Sequence, residues 1–260
     1  ADKSSFCYGA FKSSELIANV GLVSNKLNTD KQEKIFSRHS SMVSKKYRDK
    51  KIFSNLLKKV KRNVLKKNFL VAMWPNKNNF SNFGINEKKI IKKRYFLYQM
   101  YSKLKKKEKT KKIKIENLIK FKKYLKNSNN LFFKDYAYFK KRYLSYRKDD
   151  YFINEFKFKN LKSFFILKSN KENSSVNYVI LDHFGSKQIK NNHLSQLISE
   201  NRNLIFLSNK RINDTNIKLL NLIYLKIGFI KNFNLKYKSF LLKKEISLGD
   251  TDIFITLNNT

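Results

Sequence analysis

The sequence predicts an α/β protein in which a domain with a β-α-β unit and a small mixed sheet follows a basic, mostly helical extension. Two apolar runs, at 176–181 and 204–207, flank a segment with helical periodicity, and strands connected in this way lie parallel. Apolar residues make up 41% of the 260, which is enough for a core in part of the chain. The basic residues are concentrated before residue 151. We therefore expect an extended tail over 1–43, the extension over 44–150 and the α/β domain over 151–260.

The charge distribution indicates a polyanion as partner. The chain carries 58 Lys and Arg residues against 19 Asp and Glu residues, and residues 1–150 hold 41 of the basic and 11 of the acidic ones. Abundant Lys, Asn, Ile, Phe and Tyr are typical of a genome rich in A and T, but that bias does not explain so large an excess of bases over acids. A net charge of +39 repels itself unless an anionic partner offsets it.

Several kinds of site are not expected. Cys7 is the only cysteine, so no internal disulfide forms. The three histidines, His39, His183 and His193, are too scattered for a metal site, and the sequence has no Gly-rich cofactor loop. No apolar run has the length of a transmembrane helix. The sequence thus predicts no metal, no cofactor and no membrane binding.

The first two segments are a tail and a basic helix. Residues 1–43 are rich in Ser and Asn, show little periodicity and begin without Met, which favours an extended tail of a processed precursor. Residues 52–64 place an apolar stripe opposite a basic face, which indicates an amphipathic helix. This helix suits rRNA better than a membrane surface, because basic runs continue elsewhere. Its proposed RNA-binding residues are Lys58, Lys59, Lys61 and Arg62.

The rest of the extension reads as two further helices around a lysine block. Pro75 marks a loop, and Asn86 is placed to cap a helix that runs to Leu104. Another helix is expected over 115–125. The intervening block is too charged to fold alone and orders against phosphate. Its proposed rRNA contacts are Lys105, Lys106, Lys107, Lys111 and Lys112.

Aromatic and basic residues alternate over 131–151. Such rings stack on unpaired nucleotides while the cations bind phosphates. The candidate rings are Phe139, Tyr143 and Tyr146, and the candidate cations are Lys140, Lys141 and Arg142. The alternative, that the rings pack against neighbouring protein, is favoured.

The last segment carries the β-α-β unit. We expect helices from Ser186 to about 200 and from Asn213 or Asp214 to Gly228. If the strands at 176–181 and 204–207 are parallel, the turns that follow them lie at one edge of the sheet, near the N-terminus of the helix between them. The proposed phosphate-binding rim there consists of Lys187, Asn209, Lys210 and Arg211.

These residues also carry a resemblance. The pattern Val-Ile-Leu-Asp-x-x-Gly at 179–185, Leu194, Asn-Leu-Ile-Phe-Leu-Ser-Asn-Lys-Arg at 203–211 and the segment 248–256 resemble the ribosomal stalk-base family, bacterial L-ten and cytosolic P-zero. The resemblance implies a structural protein of the large ribosomal subunit that binds rRNA of the GTPase-associated region beside the L-eleven family protein. It also implies a helix over 152–167, which would match the helix that precedes the first strand in the family. The family's C-terminal segment, which holds dimers of the acidic stalk protein, has no counterpart before Thr260, so binding of those dimers is left open.

Three alternatives remain open. The first is another α/β ribosomal protein, the small-subunit S-two family, and the second is a lineage-specific rRNA-packing protein. The third is an enzyme acting on nucleic acid, such as a methyltransferase or nuclease. Asp182-His183-Phe184-Gly185 supplies neither a Gly-rich loop nor a carboxylate cluster, so the sequence predicts a protein without enzymatic activity. Composition and the start of the chain predict a mitochondrial ribosome, with a plastid as the alternative.

Overall fold

A computed structural model divides the chain into two units. The model describes residues 6–29, 34–48, 51–63, 70–73, 90–101, 110–125, 130–145, 150–172, 175–200, 203–228, 239, 241–244 and 246. The first unit is drawn from residues 1–94 and 223–244, and the second from residues 95–222 and 245–260.

The strands and helices follow in chain order. The strands are β1 (Phe6–Lys12), β2 (Glu15–Lys26), β3 (Lys34–Val43), β4 (Leu70–Met73), β5 (Ile90–Tyr101), β6 (Lys111–Lys114), β7 (Tyr151–Phe158), β8 (Leu161–Glu172), β9 (Ser175–Gly185), β10 (Asn203–Ser208) and β11 (Ile217–Gly228). The helices are α1 (Ile52–Asn63), α2 (Lys122–Leu125), α3 (Tyr136–Phe139) and α4 (Lys190–Glu200). A 3₁₀ helix over Ile115–Phe121 leads into α2, and α3 continues into a π-helix over Lys140–Leu144.

The first unit is a sheet covered by α1. Its strands have the order β1-β2-β3-β4-β11, antiparallel except for the parallel pair β3 and β4. Ala18, Val20 and Leu22 of β2 are buried at every second position and pack against Leu57 and Val60 of α1. The described residues of the expected extended tail over 1–43, namely 6–29 and 34–43, are therefore mostly strand, because their alternating apolar residues bury one face.

Helix α1 is amphipathic, as predicted. Its apolar side faces the sheet, while Lys58, Lys59 and Arg62 are exposed and Lys61 is half-buried.

The second unit is a mixed sheet with the strand order β5-β10-β9-β8-β7-β6. Strands β9 and β10 are parallel, which confirms the predicted β-α-β unit, and the other neighbouring pairs are antiparallel. Helix α4 covers one face, where Leu197 packs with Phe165, Leu167 and Leu204. On the other face, rings from residues 115–144 pack against strands β8 and β9; the ring pairs are Phe121 with Phe164, Tyr124 with Phe164, and Phe139 with Phe184. The predicted α/β class with a mixed sheet is confirmed.

Strand β9 has one residue more than β8 over the stretch in which the two strands pair. Ile166 pairs with Asp182 and Leu167 pairs with Ile180, so Leu181 is the extra residue of a β-bulge. A bulge bends its strand and increases the local twist.

The prediction of a mostly helical extension is not confirmed. Residues 90–101, expected to be helical, form β5, and the helices expected over 152–167 and 213–228 are the hairpin β7–β8 and the strand β11. These segments carry apolar residues on both faces, and such runs satisfy a helical spacing as readily as that of a buried strand. Helix formation over 115–125 is confirmed as a 3₁₀ turn followed by α2.

Candidate active site

The two parallel strands of the second unit separate and leave a cleft. They pair at Leu204 with Tyr178 and at Ile205 with Val179, and the bulge of β9 follows immediately. Beyond that point lies a cleft of about 230 Å³ at the carboxyl ends of both strands, the usual place for a site in an open α/β sheet. Its lining residues are Tyr95, Asn130, His183, Lys187, Lys190, Asn191, Leu194, Leu207, Ser208, Asn209 and Ile246.

His183 of β9 places an imidazole in the wall of this cleft. Its Nε2 lies 3.0 Å from Ser163 Oγ, and its ring lies 5.0 Å from that of Phe165. Burial lowers the pKa of His183 well below its usual 6.5, and the charges of Lys190 and Lys187 act in the same direction. The ring is therefore neutral at neutral pH and has a nitrogen lone pair with which to accept a proton.

Two lysines make the cleft cationic. Lys187 is exposed and Lys190, the first residue of α4, is half-buried. The Lys190 amide donates to the Lys187 carbonyl over 3.1 Å, which holds both residues in one turn at the start of the helix. Backbone N–H groups at a helix N-terminus add to the attraction for an anion.

Gly185 ends β9 in a conformation that suits glycine. Its φ is +90°, and a Cβ there would lie 2.7 Å from the Lys162 carbonyl oxygen. The next amide, of Ser186, donates to that same carbonyl over 2.8 Å. This close approach fixes the end of the strand two residues beyond His183.

A chain of hydrogen bonds runs inward from His183. Ser163 Oγ also lies 2.9 Å from His193 Nδ1, and His193 Nε2 lies 2.7 Å from Asn154 Oδ1. Asn154 Nδ2 donates to Thr110 Oγ1 over 3.0 Å, and Thr110 Oγ1 donates to Glu200 Oε2. Ser163 and His193 are fully buried, and the His193 ring lies between those of Phe156 and Phe165. Burial lowers the pKa of His193 to about 3, so it too is neutral.

Asp182, the neighbour of His183, has a structural role. Its carboxylate accepts from Lys134 Nζ at 2.5 Å and from the Tyr143 hydroxyl, and both charged side chains are fully buried. Burial, followed by the charge of Asp182, raises the pKa of Tyr143 well above 10.0. The ion pair attaches the helical segment 136–144 to β9. Phe139 and Tyr143 lie in this core, which confirms for these two rings the favoured alternative of packing against protein. Tyr146 lies outside the described residues.

The residues proposed to bind RNA are spread over several elements. Among the described ones, Lys187 and Asn209 line the cleft, while the exposed Lys210 and Arg211 follow β10 without lining it. Lys111 and Lys112 are exposed on β6, where Lys112 Nζ lies 4.1 Å from the centre of the Phe152 ring. Lys140, Lys141 and Arg142 are exposed on the π-helix. Lys105, Lys106 and Lys107 lie outside the described residues, as does the segment 248–256.

Sequence reasoning missed the functional arrangement around His183. Ser163, Asn154, Thr110 and Glu200 are 20 to 90 residues from their partners, so no local spacing announces them. The one signal in the sequence is a pair of histidines, His183 just after the predicted strand and His193 within the predicted helix, and their spacing was considered only for a metal site. Within the described residues, no group of three His, Cys, Asp or Glu side chains is placed to hold a metal ion. No helix in the described part is long and apolar enough to span a membrane.

Comparisons with known proteins decide the fold. No protein-family model and no curated protein sequence matches the chain. Among solved structures, a GCN5-related N-acetyltransferase from Anabaena variabilis matches with a TM-score of 0.56 at 7% identity, over 85% of this chain and 62% of that one. A GCN5-related N-acetyltransferase from Kribbella flavida gives 0.55 at 8% identity over 85% and 59%, and Eis1 from Mycobacterium abscessus gives 0.53 at 10% over 84% and 64%. The chain has the GCN5-related N-acetyltransferase fold. It spans about 60% of the length of these N-acetyltransferase-fold chains.

This finding corrects the resemblance to the ribosomal stalk-base family, which is wrong. The matched motif covers β9, α4 and β10, a strand–helix–strand unit that many α/β folds share, so it does not discriminate between them. The attached expectations are contradicted too: a structural role in the large subunit, and rRNA, the L-eleven family protein and acidic stalk dimers as partners. The prediction of a protein without enzymatic activity is contradicted, because the structures that share the fold include N-acetyltransferases. Mitochondrial or plastid localisation stays a prediction.

Proposed function

We propose that the protein is an acyltransferase that moves an acyl group from an acyl thioester onto an amine. The observation that supports this most directly is the cleft between the separating strands β9 and β10, which combines a neutral imidazole with two lysines. The fold shared with N-acetyltransferases supports the same class of reaction.

The separated strands suit an elongated donor. Beyond Val179 and Ile205, the facing backbone groups of β9 and β10 no longer pair with each other, so a ligand that enters there has N–H and C=O groups within reach. Lys187 and Lys190 attract a negatively charged portion of the donor, such as phosphate. A phosphate-bearing carrier thioester fits both properties.

The reaction needs one proton acceptor and one leaving group. The amine nitrogen attacks the carbonyl carbon of the thioester, and His183 takes the proton that the nitrogen loses as the C–N bond forms. The C–S bond then breaks, and the thiolate leaves with the electron pair and takes up a proton from water to give the free thiol. His183 releases the proton it accepted to water, which restores the neutral ring. The products are an amide and a thiol. Because the pKa of His183 is lowered, the ring is unprotonated at neutral pH and available for this transfer.

Thiol release tests the proposal. Purified protein is mixed with acetyl or longer acyl thioesters of coenzyme A and an amine acceptor such as a lysine peptide or a polyamine. We expect free thiol and acylated amine in equal amounts. His183→Gln should lower kcat by about 10² to 10⁴ fold, as expected for loss of a general base. Lys187→Ala combined with Lys190→Ala should raise the KM for the donor.

The matched control is Lys210→Ala, which removes the same charge from an exposed position outside the cleft. It should leave both constants unchanged. Absence of turnover with every thioester, together with no shift in thermal unfolding when coenzyme A thioesters are added, would refute the proposed function.

A further inference from the structure

We infer that the hydrogen-bond chain from Glu200 to His183 sets the tautomer of His183 and leaves Nδ1 as its proton-accepting atom. The members between the two ends, Thr110, Asn154, His193 and Ser163, are positioning residues that act through their neighbours. The catalytic meaning of the tautomer rests on the proposed function, whereas the tautomer itself does not.

The direction of the chain follows from its acceptor-only end. A carboxylate has no proton to donate, and Glu200 accepts from the Thr110 amide at 3.1 Å and from Gln196 Nε2 at 2.6 Å in addition to the Thr110 hydroxyl. The single proton of the Thr110 hydroxyl is thereby committed to Glu200. Thr110 Oγ1 must then accept from Asn154, which places Asn154 Nδ2 toward Thr110 and Oδ1 toward His193.

The same reasoning continues to the cleft. Since Asn154 Oδ1 accepts, His193 carries its proton on Nε2, and its Nδ1 accepts from the Ser163 hydroxyl. Ser163 has then used its proton and accepts from His183, so the proton of His183 is on Nε2. His193 is neutral in this arrangement, which agrees with its pKa of about 3. Every donor points from the cleft toward Glu200.

The consequence at the cleft is a defined base. His183 Nε2 is occupied as a donor to Ser163, and among the described residues no side chain hydrogen-bonds to Nδ1. A free imidazole in water populates both tautomers, but this chain selects the one whose lone pair is on Nδ1. When Nδ1 accepts a proton, the dipoles of the chain already point away from the new charge, with a carboxylate at the far end.

Replacing Glu200 by glutamine should reverse the direction of every hydrogen bond between Thr110 and His183. The introduced side-chain amide can keep its oxygen toward Gln196 and the Thr110 amide, and its NH₂ group then faces the Thr110 hydroxyl. Thr110 then donates to Asn154, whose amide flips, and each later donor becomes an acceptor. The proton of His183 moves to Nδ1, and the lone pair faces Ser163.

Imidazole ¹⁵N chemical shifts test this inference, because they distinguish protonated from unprotonated ring nitrogens. The chain has three histidines, so His39→Gln and His193→Gln variants suffice to assign the signals. We expect Nε2 to be protonated and Nδ1 unprotonated for both His183 and His193 in the wild type. In Glu200→Gln both patterns should exchange. Glu116→Gln, an exposed position outside the chain, is the matched control and should match the wild type.

Two threonine variants give a second readout. Thr110→Ser keeps the hydroxyl and should keep the wild-type tautomers, while the nearly isosteric Thr110→Val removes it and should leave His183 in a mixture. With acyl transfer established, Glu200→Gln and Thr110→Val should lower kcat by at least about tenfold at nearly unchanged KM, and Thr110→Ser should restore it.

Identical tautomers in wild type and Glu200→Gln would overturn the inference even if acyl transfer were active. If the wild type shows the expected tautomers but no turnover, the inference about the hydrogen-bond chain stands and the proposed function is refuted.

Discussion

At the scale of single residues, the second unit contains one hydrogen-bonded network of buried polar side chains. Ser163, Asn154 and His193 are nearly inaccessible to solvent, and each is satisfied by partners from other elements. A buried polar group without a partner costs about 1–3 kcal/mol, so such a network is stable only when every member is paired. Of these three side chains, only His193 gains a charge when the pH falls.

His193 contributes to the pH dependence of stability in the same direction as His183, whose pKa is also lowered by burial. The pKa of His193 is about 3 in the folded protein and near 6.5 when unfolded, so the unfolded chain binds an extra proton between these values. The stabilisation is complete above pH 6.5 and is lost as the pH falls toward 3. At about 1.4 kcal/mol per pKa unit, the loss amounts to several kcal/mol.

Urea unfolding at pH 7 and pH 4 measures this loss. When the pH is lowered from 7 to 4, the free energy of unfolding should decrease less in His193→Gln than in the wild type. His39→Gln is the matched control and should behave like the wild type. An equal fall in His193→Gln and the wild type would contradict a neutral buried His193.

At the scale of elements, the sequence predicted the parts whose pattern has one interpretation. The strand–helix–strand order of β9, α4 and β10 was recovered because a short apolar run, an amphipathic segment and a second run allow only a parallel crossover. Helical spacing predicts helices where strands β5 and β11 lie, because twelve-residue strands with apolar residues on both faces also satisfy that spacing. The helix expected over 152–167, where β7 and β8 lie, rests only on the resemblance to the wrong family. The cleft could not be predicted, since it arises where β9 and β10 stop pairing, and no residue type marks that point.

The attachment of segment 136–144 to β9 gives an element-scale prediction. Lys134→Met leaves the buried Asp182 carboxylate without its cation, and Asp182→Asn leaves the buried ammonium without its anion. Each should lower the free energy of unfolding by about 3–5 kcal/mol, because an uncompensated buried charge is costly.

The double variant tests whether the single variants lose stability because the ion pair between Lys134 and Asp182 is broken. Lys134→Met with Asp182→Asn removes both charges, so it should be destabilised by clearly less than the sum of the single variants in urea denaturation. Lys140→Met, exposed on the same segment, is the matched control and should change stability by less than about 0.5 kcal/mol. Additive effects of the two substitutions would show that the charges do not interact.

At the scale of the whole molecule, net charge is the dominant property. With 58 basic and 19 acidic side chains, like-charge repulsion outweighs attraction over the chain as a whole. The relation to the N-acetyltransferase fold is invisible at 7–10% identity, because strand order and cleft position can persist when hardly any side chain does. This is why a short motif in the sequence led to the wrong family.

Added salt should therefore stabilise the protein. Raising ionic strength from about 0.01 to 1 M shortens the Debye length from about 30 to 3 Å and screens the repulsion. We expect the urea midpoint to increase with sodium chloride and to do so equally with potassium chloride, since screening depends on ionic strength. A midpoint that falls with salt would show that ion pairs, rather than repulsion, govern stability.

The bulge at Leu181 determines which side chain of β9 faces the cleft. In a regular strand, alternate residues face alternate sides, and Tyr178 and Ile180 pack on the side of α4. Without the bulge, the next residue on that side would be Asp182, and the carboxylate rather than the imidazole would face the cleft. The extra residue reverses the alternation of side chains beyond Leu181, so His183 rather than Asp182 lies on the side of α4 and faces the cleft. One residue of strand length thus decides whether a neutral imidazole or a negatively charged carboxylate occupies this position in the fold.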